Sequence, residues 1–287
     1  MGCTVRLPTP AGPISTATPL PAPAGGGSTS LVTPTLDLTS TVMALSPPQQ
    51  GEAYISPDKQ WRVEGVTYAC VQTDENAQHA LDQLQLVQAS TGYTKTIATQ
   101  LQTCGGLGAF GLAGRFWSPN SRYFYYTDAR EGTPDGCGYW AGSLLRFDIQ
   151  DQQTEPLGGG PQSPDGKKLA TWQGAEVVVW DVDQGELTRK PAVMPNLSPG
   201  PIVWSPDSQA LVYLQIATPC PPAGKSYGVR LDVATLKQTL LFTSERPTFA
   251  KISWKLADHL TLTAENEQHW RYTFSTQNLE QLPPNAE

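Results

Sequence analysis

Charge is scarce in this chain. Only 16% of its 287 residues are Asp, Glu, Lys or Arg, and the 19 basic residues form no cluster. Nucleic-acid affinity comes largely from neutralised phosphates, so a nucleic-acid partner has no source of binding energy here. An anionic membrane surface fails for the same reason. The net charge of −7 is spread thinly. Histidine is rarer still, with only His79, His259 and His269. No Cys-x-x-Cys pair occurs, so a zinc site lacks its ligands, and neither a metal nor another cofactor is expected. No apolar run approaches the roughly 20 residues of a membrane-spanning helix. Amphipathic helical stretches of about 10–15 residues, which an α/β fold would interleave with its strands, are also missing.

Turn chemistry is what the chain has in abundance, with 26 Gly and 26 Pro. The hydrophobic fraction of 39% is enough for a core, with a surface rich in Ser, Thr, Gln and Asn. Residues 4–35 are almost entirely Thr, Pro, Ala, Ser and Gly. Such a composition cannot bury enough apolar surface to offset its ordering entropy. Residues 1–40 therefore read as a disordered tether, and 41–287 as a single folded domain. Gly2-Cys3 resembles the end of a bacterial lipobox, in which Cys3 would carry a lipid, although no apolar segment precedes it here. N-myristoylation at Gly2 wants Ser or Thr where Arg6 stands. An ordinary start followed by a polar tail is the third reading.

Past the tail a turn recurs. Ser56-Pro57-Asp58-Lys59, Ser118-Pro119-Asn120-Ser121, Ser163-Pro164-Asp165-Gly166 and Ser205-Pro206-Asp207-Ser208 each precede a short strand rich in aromatic and β-branched residues. A worn fifth copy begins at Ser253-Trp254-Lys255. The serines are spaced 62, 45, 42 and 48 residues apart. Pro presets φ for the first central turn position, Asp or Asn favours the turn, and a Gly or small polar residue closes it. A period in the forties fits one four-stranded propeller blade. Third strands are expected at Leu84–Val87, Leu145–Ile149, Val178–Val182, Val229–Val233 and Trp270–Phe274. Edge strands are expected at Lys95–Ala98, Thr154–Leu157, Glu186–Thr188, Thr239–Phe242 and Leu279–Leu282. The fold class is all-β, a propeller of five four-stranded blades. Thr41–Leu45 is a candidate extra strand that would close the ring, since an open ring leaves unpaired edges.

The pattern aromatic-Ser-Pro-Asp-Gly, strand, then Val178-Val179-Trp180-Asp181-Val182 resembles the TolB-type, WD-repeat-like β-propeller family over about residues 51–284. Trp180-Asp181 is similar to the WD dipeptide. Gln162 departs from the aromatic that usually precedes the turn. Lys255-Leu256-Ala257-Asp258 stands in place of Pro-Asp-Gly in the last unit.

Strand alternation assigns the loops to two faces. The Ser-Pro-Asp turns and the third-to-fourth-strand turns share one, the turn face. The second-to-third-strand loops and the blade crossings share the other, the loop face. Cys70, Cys104, Cys137 and Cys220 all fall on the loop face. Cross-links there would pin long loops, where loop ordering gains most. Cys70–Cys104, both from the first unit, is the favoured pair, and Cys137–Cys220 would then bridge blades. Cys104–Cys137 is the main competitor.

Loops on a rigid scaffold commonly carry function. On the loop face, Arg130, Glu131, Asp135, Tyr139 and Trp140 sit in the longest insertion, and Tyr227 follows the loop that holds Cys220. Aromatic anchors with flanking charges suit a protein or glycan partner in the cell envelope. The expectation is a monomeric, non-enzymatic, extracytoplasmic binding module, touching the membrane only through a lipid at Cys3. The alternative is a glycoside hydrolase with its site in the central channel. Several sharper motifs fail in context. Gly224-Lys225-Ser226 lacks the upstream Gly and following helix of a phosphate loop. Gly105, Gly106, Gly108 and Gly111 lead into a strand rather than a helix. Asp128, Glu131 and Asp135 do not have calcium-loop spacing. No Gly-x-Ser-x-Gly elbow accompanies the histidines.

Overall fold

The computed structural model describes residues 37–105, 110–129, 143–194, 196–217, 224–245, 247–264 and 266–283. Five antiparallel sheets follow one another along the chain. The first contains β1 (Pro48–Ile55), β2 (Trp61–Gln72), β3 (Gln78–Gln88) and β4 (Thr94–Thr103). The second contains β5 (Phe110–Trp117), β6 (Tyr123–Ala129), β7 (Leu144–Asp148) and β8 (Thr154–Gly158). The third has three strands, β9 (Lys168–Gln173), β10 (Glu176–Asp181) and β11 (Gly185–Pro191). The fourth contains β12 (Ser198–Trp204), β13 (Ala210–Ile216), β14 (Ser226–Asp232) and β15 (Gln238–Ser244). The fifth contains β16 (Phe249–Leu256), β17 (His259–Ala264), β18 (His269–Thr273) and β19 (Asn278–Gln281). The expected third and edge strands fall within these, within a residue or two at their ends. The arrangement is consistent with a propeller of five blades.

The third blade departs from the expected four strands. Its inner strand is reduced to two isolated bridges, Gly159 with Trp172 and Gln162 with Leu169. The cause is local. Gly158 holds φ +82°, and a Cβ there would lie 2.1 Å from the Trp172 carbonyl oxygen. A Cβ at Gly160 would lie 1.8 Å from the Ala170 carbonyl oxygen. The backbone passes so close to β9 that only glycine fits, and the regular ladder is lost.

Strand alternation explains how the sheets stack. Between the first and second, Val63, Leu84 and Leu86 meet Trp117, Phe124, Tyr126 and Phe147. Between the second and third, Tyr123, Tyr125 and Leu157 meet Leu169, Val178 and Trp180. Trp172, Val177 and Val179 meet Trp204, Leu211, Tyr213 and Val229 at the next boundary. At the last, Val212, Leu214 and Phe242 meet Phe249, Leu260, Leu262 and Tyr272. An inner blade is apolar on both sides, so β13, Ala-Leu-Val-Tyr-Leu-Gln-Ile, is buried at every position. An end blade needs only one such side. β17, His-Leu-Thr-Leu-Thr-Ala, alternates between half-buried and buried residues. No hydrophobic cluster among the described residues joins the fifth sheet to the first.

Thr41–Leu45 does not add a strand. It belongs to helix α1 (Leu38–Leu45), which starts inside the stretch assigned to the tail. Asp37 caps the helix, its carboxylate accepting from the Thr39 amide at 3.1 Å and the Ser40 hydroxyl at 2.6 Å. The one buried helical residue, Val42, packs on Val66, Tyr68 and Leu81, on the side of the first sheet away from the second.

The Ser-Pro-Asp turns share one hydrogen-bond design. The hydroxyls of Ser56, Ser163 and Ser205 donate to Asp58, Asp165 and Asp207, each at 2.6 Å. Ser118 donates likewise to Asn120 at 2.7 Å. Each hydroxyl also accepts from the amide five residues on, that of Trp61, Tyr123, Lys168 or Ala210. The fourth position is left-handed in every copy, with φ of 61° at Lys59 and Ser121, 60° at Ser208 and 72° at Gly166. The fifth copy is different. β16 runs through Ser253 and Trp254 to Leu256, and the reversal falls on Ala257-Asp258, with Leu256 paired to His259. Without a proline after the serine nothing halts the strand, and Trp254 is buried against Phe274.

Candidate functional site

Antiparallel order puts the second-to-third-strand connections and the blade crossings at the end of each sheet opposite its first turn. The firmest feature of this loop face is a disulfide between Cys70 and Cys104, 34 residues apart, with Cα atoms 6.2 Å apart. Cys70 lies where β2 slips register between Tyr68 and Val71 against β3. Cys104 follows β4, its amide donating to the Gln78 carbonyl at 2.8 Å. The bridge therefore straddles the start of β3 and ties β2 to β4. Beside it the Thr73 amide donates to the Ala77 carbonyl, and the Thr73 hydroxyl lies 2.6 Å from His79 Nδ1. This corner of the loop face is a closed, hydrogen-bonded structure.

Tyr227 is the expected anchor that the structure describes. It is half-buried on β14 between Gln215 and Thr243. Val229 and Leu231, on the same side of the strand, enter the core between the third and fourth sheets. Gln215 is 1% exposed. Its amide group donates to the Met194 carbonyl at 2.7 Å and accepts from the Met194 amide at 3.0 Å. Tyr227 thus stands on a fixed frame at the rim of that core. Next to it Lys225 pairs with Glu245 at 2.8 Å, and this hydrogen bond raises the ammonium's pKa. Ser226 is fully buried and its hydroxyl accepts from the Phe249 amide at 3.3 Å. Arg130, Glu131, Asp135, Cys137, Tyr139, Trp140 and Cys220 lie outside the described residues, as does Cys3.

The first strands of the four-stranded sheets are poor in acids. The inner strands β1, β5, β12 and β16 carry one carboxylate between them, Glu52, which accepts from the Tyr54 hydroxyl. Burial and this bond together push the Tyr54 phenol up to about 12. A cavity of 220 Å³ opens beside the reduced inner strand of the third blade, bounded by Arg115, Phe116, Thr127, Gly160, Pro161 and Gln162. Among the described residues no carboxylate lines it, and no group of three His, Cys, Asp or Glu converges to hold a metal.

Residues that sequence reasoning missed lie at the blade joints. The Trp117 indole donates to the Tyr54 carbonyl at 2.8 Å, and the Trp204 indole to the Pro161 carbonyl at 3.1 Å. The aromatic before each of these turns thus fastens its blade to the inner segment of the previous one. Its recurrence ahead of Ser-Pro was the available signal.

No family model matches the chain, and no curated protein matches it. Solved structures similar to it include the tricorn protease, at 10% identity over 83% of this chain and 26% of that one, with a TM-score of 0.35. TolB from Acinetobacter baumannii is 14% identical over 83% of this chain and 55% of its own, with a TM-score of 0.30. Dipeptidyl peptidase 4 from Porphyromonas gingivalis is 11% identical over 84% and 40%, with a TM-score of 0.43. The chain spans about a quarter to just over half of the length of these proteins. Likeness at this level says nothing of activity.

Proposed function

We propose that this chain is a non-enzymatic, extracytoplasmic binding module of the TolB-type, WD-repeat-like kind, holding a protein or glycan partner on its loop face. The observation that carries the reading is the Cys70–Cys104 disulfide on that face. Disulfides persist in oxidising compartments, and this one holds loop ends still, which lowers the ordering cost of binding. Tyr227, on its rigid frame, supplies one aromatic anchor, and Tyr139 and Trp140 supply the others. Arg130, Glu131 and Asp135 orient the partner, and the Thr-, Pro-, Ala-, Ser- and Gly-rich residues 4–35 tether the module, with a lipid at Cys3. The shortage of inner-strand carboxylates supports a binding role over glycoside hydrolysis, which uses two. The test is capture of an envelope partner by immobilised protein. Replacing Trp140 and Tyr227 with Ala is expected to abolish capture while the protein stays folded, with only the modest fall in melting temperature that loss of the half-buried Tyr227 ring brings. Undiminished capture by the double variant contradicts the proposal.

A further inference from the structure

The fifth sheet has two unlike sides. One packs Trp254, Leu260, Leu262 and Tyr272 into the core. The other presents a concavity of about 690 Å³ whose lining includes Lys255, His259, His269, Arg271 and the hydroxyl residues Ser253, Thr261 and Thr263. Register brings these groups together. Ser253 pairs with Thr261, Thr261 with Arg271, and Thr263 with His269. Lys251, opposite Thr263, adds an exposed cation to the same side.

Among the described residues no carboxylate lines this concavity, in a protein of net charge −7. Glu280, exposed on edge strand β19, is set opposite Arg271 by register. No ion pair joins the two among the described residues. Arg271 Nε is buried with no hydrogen-bond partner within the protein. Arg271 lines the concavity without a carboxylate partner among the described residues, and a planar carboxylate answers the geometry of a guanidinium.

We propose that this side of the fifth sheet binds a carboxylate-bearing saccharide, a uronate-type residue within a glycan chain. The ligand chemistry follows from the lining. Arg271 and Lys255 meet the carboxylate. The hydroxyls of Ser253, Thr261 and Thr263 and the imidazoles of His259 and His269 can each donate or accept, as sugar hydroxyls require. Leu256, 59% exposed, offers apolar contact to a sugar ring. The concavity exceeds a single inorganic anion. The site lies on the flank of the end blade, so it stands apart from the loop-face reading.

The test is calorimetric titration of the full chain with an alginate-type uronate hexasaccharide, a neutral hexasaccharide and inorganic sulfate. The uronate is expected to bind, with affinity falling as salt rises. The neutral sugar and Arg271→Met should each weaken binding by about tenfold or more. Lys255→Gln, at an exposed position, should weaken it by a smaller factor at unchanged melting temperature. Tyr227→Ala should leave it intact, which separates this site from the loop face. Equal binding of acidic and neutral sugars, binding of sulfate alone, or full affinity in both Arg271→Met and Lys255→Gln overturns the proposal.

Discussion

The backbone amide of Asp165 donates to the hydroxyl of Ser208, 3.1 Å away and 43 residues further along the chain. Asp58 makes the same bond to Ser121 at 3.0 Å across 63 residues. The turn of one blade is thereby fastened to the turn of the next, through a residue held at positive φ. Replacing Ser208 with Ala keeps the strained backbone and orphans the Asp165 amide. It should cost about 1–3 kcal/mol, the usual penalty for a polar group left unsatisfied. Urea unfolding measures it. An unchanged midpoint would show that water replaces the hydroxyl.

Lys59 occupies the equivalent left-handed position in the first blade, with φ of 61°. Its side chain points to solvent at the turn face. Lys59→Gly should raise stability by about 0.5–1 kcal/mol, because glycine relieves the steric cost of positive φ. The urea midpoint should rise with an unchanged slope.

These turns also account for what was legible in the sequence. Ser-Pro-Asp marks a chain reversal by chemistry that is local, so four of the five turns and the phase of every blade could be read directly. The alternation of β17 against the continuous apolar run of β13 was there to be read as an end blade against an inner one. Thr41–Leu45 misled because its β-branched and apolar residues suit a strand, whereas the Asp37 cap and the burial of Val42 against Val66, Tyr68 and Leu81 decide for helix. Gly160-Pro161-Gln162 stands where the other units place a short apolar strand ahead of the turn. Only the close approach to β9 shows why the inner strand is lost. The groove on the fifth sheet was hidden because its residues converge by cross-strand register, not by spacing along the chain. Of the expected anchors, the structure places Tyr227 alone, and as a half-buried rim residue.

The disulfide is expected to stabilise the fold through its loop. The 34-residue separation corresponds to about 3–4 kcal/mol in a chain-entropy account. The double variant Cys70→Ser, Cys104→Ser should lose about 2–4 kcal/mol in denaturant and become indifferent to reductant in its first sheet. Equal stability of the variant and the oxidised protein would remove the disulfide's structural role.

The turn carboxylates predict the acid limb. Hydrogen bonds from Ser56 and Ser205 hold Asp58 and Asp207 below the ordinary aspartate pKa. At Asp165 partial burial opposes the shift, but the Ser163 hydroxyl and the Lys167 amide still bring it down. A lowered folded-state pKa stabilises above the unfolded value and is lost as the pH falls through the folded one. Stability should therefore drop below about pH 4. Asn120 already fills this role without a charge. Asp→Asn at positions 58, 165 and 207 should flatten that drop, chiefly by removing the charge-assisted part of the stability at neutral pH, as read by thermal unfolding from the acid range to neutrality.

The binding role of the loop face is tested most directly by site-specific photo-crosslinking. A photoreactive residue is placed at Tyr227 on the loop face or at Lys59 on the turn face, and the protein is illuminated with envelope extract. Discrete adducts from position 227 and none from position 59 are the expected result. Adducts from position 59 with none from position 227 would contradict the account.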